Sequence, residues 1–376
     1  MEHLVVMDGV TLFLPQEIIT NILKFLPVKS LIKFQCVCKH WKNLIKTPFF
    51  IAMHLHHSTQ LRPHLLLHRH YTSFGLQLYF LDYKRQIVKV SNLPVVDDKV
   101  LIVGSSHGLL CLQIGSIYSD FSSSPRSYLL WNPVFREVRH VPFTFPNFDR
   151  DGPRVFGFGF GFSPIVNDYK IVIVTLYQAM DHDLQNHPVV YSLRMGSWKQ
   201  VKVGILRGLV LNNAVGFTMN GSIFWLGYKQ DCAVMISFDI AMEEFALMPM
   251  PSTVGQDHAR RVNITEFERR LALLFSPSIG YYKSKSIELW VLENGTGGSG
   301  ERWSWAKKYT SSPYLGFLIP ITIWKNEIVG IYYPGPHDKS HSGGTVMSNF
   351  TNTELNVLSN ETHLIYSYVE SLVPVS

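Results

Sequence analysis

Residues Leu14 to Leu55 read LPQEIITNILKFLPVKSLIKFQCVCKHWKNLIKTPFFIAMHL. Apolar residues fall at Leu14, Ile18, Ile22 and Leu26, then at Leu31, Phe34 and Cys38, then at Trp41, Leu44 and Ile45. That three-to-four spacing belongs to helices with one apolar face. Pro15 stands where a first helical turn tolerates it, and Pro27 stops the helix before it because proline has no amide proton to continue the ladder. The stretch therefore predicts three or four short helices packed at steep angles. About 40 residues bury too little apolar surface to offset the entropy of ordering them, so the module needs a partner surface.

Working outward, the opening Leu14, Pro15, Glu17, Ile22, Leu23, Leu26, Pro27, Val28, Lys29, Leu31 and the close Val37, Cys38, Trp41, Leu44, Ile45, Pro48, Phe49 resemble an F-box of the plant type. The resemblance implies a segment that docks on the Skp-type adaptor of a Skp-cullin-F-box ubiquitin ligase, and through it on cullin and a RING subunit. It singles out Leu14, Pro15, Ile18, Leu23, Leu26, Pro27, Val28, Leu31, Val37 and Trp41 as adaptor-binding residues. Some of these must instead fill the module's own interior, and periodicity alone does not sort them. Lys24, Lys29, Lys33, Lys39 and Lys42 read as a solvated rim that would speed association with an acidic partner more than strengthen it.

The chain has 376 residues, 46% hydrophobic and 16% charged, which describes a compact protein of two parts without a long disordered tail. Aromatic residues at 13% suit an all-β body. The net charge of +6 is spread along the chain and not gathered into a Lys/Arg block, so no nucleic-acid partner is expected. The first residues lack a basic start and a long apolar run, and nowhere do about 20 apolar residues follow one another; neither a secretion signal nor a membrane span is expected. The four cysteines, Cys36, Cys38, Cys111 and Cys232, read as reduced and mostly buried thiols, with Cys36 and Cys38 on one helix, and the expected compartment is cytoplasmic and/or nuclear. His54, His56, His57, His64, His68 and His70 crowd together, yet no carboxylate or cysteine nearby completes a shell, so no metal is expected.

From Leu65 onward the period changes from helical to two. Short runs such as LQLYFLD, KVLIVG, HGLLCLQ, SYLLWNP, VFGFGFGF, YKIVIVTL, SIFWLG, VMISFD, LALLF, IELWVL and EIVGIYY alternate with Gly, Pro, Asn, Asp and Ser clusters. A unit recurs from Leu130 to Pro142, Val190 to Lys199, Ser237 to Pro249 and Leu289 to Trp303, with Gly-led hairpins between copies at Ser106 to Gly108, Phe158 to Gly161, Asn220 to Gly221 and Asn326 to Glu327. Divergent copies around Leu76 to Val90 and Leu355 to Val369 bring the count to about six, the signature of a kelch-like β-propeller. The fold class is thus α+β: an N-terminal extension (1–10), a helical module (11–57) and a large propeller (58–376).

Gly104 to Leu112, Trp131 to Pro133, Gly159 to Phe162 leading to Asn167 to Lys170, Val190 to Lys199, Ile236 to Phe245, Ile287 to Val291 and the ending Tyr368 to Pro374 are similar to the plant F-box-associated domain. S-locus F-box proteins of pollen share this layout, as do other members. The resemblance implies that the propeller recruits a protein for ubiquitination, through the divergent loops Phe145 to Arg154, Gln178 to His187, Gln256 to Val262 and Tyr333 to Thr345. The insert Gly295 to Gly300 departs from the family pattern and lengthens one hairpin.

Sequence chemistry compels no catalysis. Gly104 to Gly108 fits the G-x-S-x-G string, but a strand follows where a nucleophile elbow needs a helix. Gly295 to Gly300 lacks the Lys-Ser or Lys-Thr of a phosphate cradle. Glu243 with Glu244 and Asp97 with Asp98 sit in turns where adjacent side chains diverge. No cofactor is expected. The competing reading is a β-propeller enzyme or glycan-binding protein whose helices are only a cap.

Overall fold

In the computed structural model the described residues are 5–7, 10–12, 14–61, 64–69, 77–90, 100–115, 126–135, 137–143, 154–178, 184–211, 215–229, 232–251, 260–277, 286–293, 303–335, 338, 343–351 and 354–375. Among these residues a two-stranded antiparallel hairpin (Val5–Met7 with Val10–Leu12) comes first, followed by four helices: α1 (Gln16–Leu23), α2 (Val28–Phe34), α3 (Lys39–Ile45) and α4 (Pro48–Leu61). Their boundaries follow local chemistry. Pro15 and Pro27 occupy the caps of α1 and α2 with extended backbone, where a missing amide proton costs nothing. The Cys38 sulfur accepts the Trp41 amide at the start of α3, and the Thr47 hydroxyl accepts the Phe50 amide at the start of α4. Helix α4 continues through residue 57 to Leu61, and the first propeller strand begins at His64.

Six antiparallel sheets of four or five strands follow. Blade 2 runs Val100–Ser106, Leu109–Ile114, Arg126–Asn132, Glu137–Phe143; blade 3 runs Arg154–Ser163, Asp168–Gln178, Leu184–Ser192, Ser197–Gln200. In blade 4, Leu209–Leu211 and Phe217–Met219 both pair with Ser222–Lys229, which is followed by Cys232–Asp239 and Glu244–Met248. Blade 5 is Arg260–Phe267, Arg270–Pro277, Glu288–Glu293, Ser304–Thr310, and blade 6 is Phe317–Trp324, Glu327–Tyr333, Gly344–Asn349, Leu355–Ser359. Blade 1 is composite: the last strand, His363–Tyr368, leads into His64–Arg69, Leu78–Leu81 and Ile87–Lys89. From blade 1 to blade 6 the first strands of successive blades touch one another around a central axis, and the core shared by blades 6 and 1 completes the ring. A ring closed in this way leaves no long open edge.

The cores lie between blades. Tyr128, Leu130, Phe158, Phe160, Ile171 and Ile173 are buried between blades 2 and 3, and Trp225, Ile236 and Phe238 join Val172, Val174 and Val190 between blades 3 and 4. The FGFGFG run shows how one strand serves both: Phe158 and Phe160 enter the first core, while the space beside Gly159 is filled by Trp225 and Ile223 of blade 4.

The repeat read from sequence corresponds to the third and fourth strands of blades 2 to 5. Several details differ. Gly159 and Gly161 lie inside an extended strand, because their missing side chains admit the next blade and do not make a turn. Leu355 to Val369 is not one unit; it divides between blades 6 and 1. Cys36 lies in the turn between α2 and α3, with Cys38 as the cap, since the chain must reverse there; Cys36 and Cys232 are exposed and Cys38 is half-buried, so of the four thiols Cys111 alone is buried. The insert Gly295 to Gly300 and His70 lie outside the described residues.

Candidate functional site

The helical module has an interior of its own. Leu23, Val28, Leu31, Leu44, Ile45 and Phe50 are buried together, with Ile19, Leu26, Phe34 and Trp41 half-buried around them. His54, also buried, bonds through Nε2 to the Leu26 carbonyl at 2.9 Å and ties α4 to the end of α1. Phe34 and Trp41 tilt against each other with ring centres 5.4 Å apart.

What remains outside is unusual for so short a piece. Helix α1 inserts Leu23 and half of Ile19 into the interior, yet Ile18 and Ile22 on a second stripe beside it, with Leu14 just before the helix and Phe25 just after, stand 45–52% exposed. Val37, before α3, is 61% exposed, and Phe49, at the start of α4, is 72% exposed. An eight-residue helix apolar on two sides has one side more than its own chain covers. Lys33, Lys39, Lys42 and Lys46 are exposed on the same module, where Glu17 is the acid between residues 14 and 61.

The ten residues singled out from sequence are thereby sorted. Leu14, Pro15, Ile18 and Val37 are exposed; Leu26 and Trp41 are half-buried; Leu23, Val28 and Leu31 belong to the interior, beyond reach of a partner in this structure. Pro27 is exposed but lines a cleft of about 160 Å³ with Val28, Ser58, His64, Tyr83 and Glu370, where the module meets the propeller. Ile22, Phe25 and Phe49 were not singled out, although the doublets Ile18-Ile19 and Ile22-Leu23 carry the signal: neighbouring apolar residues lie about 100° apart on a helix and cannot share one narrow stripe.

At the axis, a cavity of about 380 Å³ opens among the hairpins of the inner strands, lined by Ser106, His107, Asn220, Glu266, Lys325 and others. His107 and Gly108 form a tight turn at φ 51° and 83°, the strand Leu109–Ile114 follows, and the Ser106 hydroxyl lies 3.1 Å from Nδ1 of the adjoining His107. A hairpin accounts for this string, as expected. Burial lowers the His107 pKa and raises that of the Glu266 carboxyl, which Arg269 partly offsets. Among the described residues no group of three or more His, Cys, Asp or Glu could hold a metal, and no helix is long and apolar enough to cross a membrane.

Comparison with known proteins joins the two halves. The model of the F-box domain matches residues 12–52, and that of the F-box associated beta propeller domain matches residues 74–329, well over half of the chain. The chain is a plant-type F-box protein with an F-box-associated propeller. Among similar proteins of Arabidopsis thaliana, F-box/kelch-repeat protein At3g23880 is 25% identical over 82% of this chain and 82% of its own length, and F-box protein CPR1 is 24% identical over 79% and 72%. Of solved structures, TolB from Acinetobacter baumannii aligns with 73% of this F-box protein and 61% of its own chain at 9% identity and a TM-score of 0.38.

Proposed function

We propose that this F-box protein is the substrate-receptor subunit of a Skp-cullin-F-box ubiquitin ligase, performing no bond chemistry itself. The observation that carries the reading is the exposed outer stripe along α1, Leu14, Ile18 and Ile22, on a module whose inner face is already filled. Fully burying a side chain of this kind is worth about 1.5–3 kcal/mol, so a Skp-type adaptor seated there gains its affinity from a few large residues. The cullin and RING subunits join through the adaptor. The propeller holds a target beside the charged ubiquitin carrier, and acceleration comes from raised local concentration.

Strand direction supports a division of faces. Helix α4 leads into His64–Arg69 at the end of the propeller that carries the hairpins of His107 and Asn220. The segments Phe145 to Arg154, Gln178 to His187, Gln256 to Val262 and Tyr333 to Thr345 all join strands at the other end, and most of their residues lie outside the described ones. A target gripped by those segments would face away from the F-box. Co-expression with a plant Skp adaptor tests the docking: the two proteins are expected to elute together on size exclusion, and separate elution overturns the reading. Proximity labelling from the propeller with the proteasome blocked is expected to mark proteins that accumulate when residues 1–57 are removed; a set of proteins unchanged by that removal would leave only a scaffold.

A further inference from the structure

The F-box interior is completed by a residue from the far end of the chain. Leu372, 4% exposed, lies with Leu23, Val28, Leu31, Leu44, Ile45 and Phe50 in one cluster, joined at its border by Val134 and Phe135 from the outer turn of blade 2. The residues flanking Leu372 point the other way. Ser371 is fully buried over the turn of blade 2, so close that a Cβ on Gly108 would stand 2.1 Å from its own. Val375, 1% exposed, enters the core between blades 2 and 3, with Val373 against it.

Hydrogen bonds fix this alternation. The buried Asn132 amide donates to the Ser371 carbonyl at 3.2 Å and to the Val373 carbonyl at 2.7 Å, and the Val375 amide donates to the Glu137 carboxylate at 3.2 Å. Leu372 thus meets the F-box while Ser371, Val373 and Val375 meet the propeller, so the tail has one face for each domain. The ion pair from Lys29 to Glu370, at 3.9 Å with the lysine 78% exposed, adds little by comparison.

We infer that residues 370–375 are a positioning strap: Leu372 on the F-box side and Asn132 on the propeller side hold the two domains in one fixed relation. Domains joined by a short segment move relative to each other unless a substantial apolar interface prevents it. Here the F-box cannot pivot without drawing Leu372 out of its core. Taken with the proposed receptor role, on which this meaning rests, the strap sets one distance between the docked adaptor and a target on the opposite face.

Native thiols provide the test. Cys36 in the F-box and Cys232 in blade 4 are exposed, and Cys111 is buried, so spin labels on a Cys38→Ser background report the distance between the domains. The parent protein should give one narrow distance distribution. Leu372→Asp and Asn132→Leu should each broaden it about twofold or more, and Leu372→Met should keep it narrow. Asn132→Leu removes no side chain of the F-box interior, although it also frees the Val134 amide at that cluster's border, so it carries the test should Leu372→Asp fail to fold. Capture of the Skp adaptor by unlabelled Asn132→Leu should be unchanged. A narrow, unmoved distribution in Asn132→Leu overturns the strap, whereas loss of capture by the parent protein overturns the docking reading and leaves the strap standing.

Discussion

Ile365 stands directly opposite Leu67 in the antiparallel ladder that joins the last strand of the chain to the first strand of the propeller. Both side chains lie in the core between blades 1 and 6, with Leu65, Leu81, Trp324, Val329 and Met347. The ring is thus closed by burial as well as by hydrogen bonds. Ile365→Ala should cost about 2–4 kcal/mol, read as a lower urea midpoint. One shared transition by fluorescence and circular dichroism is expected; separate early loss of one probe would show that closure is local.

Gly159 faces Trp225, whose indole Nε1 donates to the Phe158 carbonyl at 2.8 Å. A Cβ at position 159 would lie 2.7 Å from Cζ2 of Trp225 and 2.8 Å from Cγ2 of Ile223. Gly159→Ala is expected to destabilise by about 1–3 kcal/mol through overpacking, while Gly196→Ala, with φ 66° but open surroundings, should cost less. Paired thermal melts compare the two, and equal losses would mean that the crowding at Gly159 costs no more than the left-handed backbone at Gly196.

How far these features can be read from sequence depends on range. Turn residues and period-two runs are local, so the strands around Leu112, Tyr191 and Phe238 and the six-fold count follow from the chain as written. The pairing of Ile365 with Leu67 and the seat of Leu372 among α1 to α4 are contacts between opposite ends, and no local pattern encodes them. The F-box stripe was legible as apolar but not as two faces. Leu23 and Ile22 are equally greasy neighbours, and only the packed helices decide which turns inward.

Glu243 bridges two lysines between blades 3 and 4. Lys170, nearly buried, donates to it at 2.5 Å and to the Ile240 carbonyl at 2.7 Å, and Lys199 pairs with its other oxygen. Burial alone would raise the carboxyl, but the hydrogen bonds and charges of both lysines outweigh it and hold the pKa below the ordinary value. A depressed carboxyl stabilises the fold above its unfolded pKa of about 4.3, and that contribution is lost as pH falls through the lower folded value. Glu243→Gln should cost about 3 kcal/mol near neutral pH, because it leaves the Lys170 charge without its partner. Urea titrations of both proteins from pH 7 down to about pH 3 should show the difference shrinking.

His363, in the closing strand, has the opposite charge type but the same direction of pH effect. Its ring is buried, with Nδ1 3.0 Å from the Thr345 hydroxyl and 3.1 Å from the Glu361 carbonyl. Burial lowers its pKa, with Arg69 adding to this and Glu361 opposing it. The unfolded chain then binds the proton first, so stability is full above about pH 6.5 and falls as pH drops toward the folded value. Melting temperatures of the parent protein and His363→Gln, compared at pH 7.5 and 5.5, should show a smaller acid loss in the variant. An equal loss would assign the effect to other groups, His107 among them.

The most direct measurement is the dissociation constant for a plant Skp adaptor, by calorimetry, of the parent protein and of Ile18→Asp combined with Ile22→Asp. Both side chains are about half exposed on the outer stripe of α1, so the melting temperature should hold. The affinity should fall at least about 100-fold, or about 2.7 kcal/mol. An unchanged dissociation constant, with the helices intact by circular dichroism, would contradict the assignment of that stripe as the adaptor's seat.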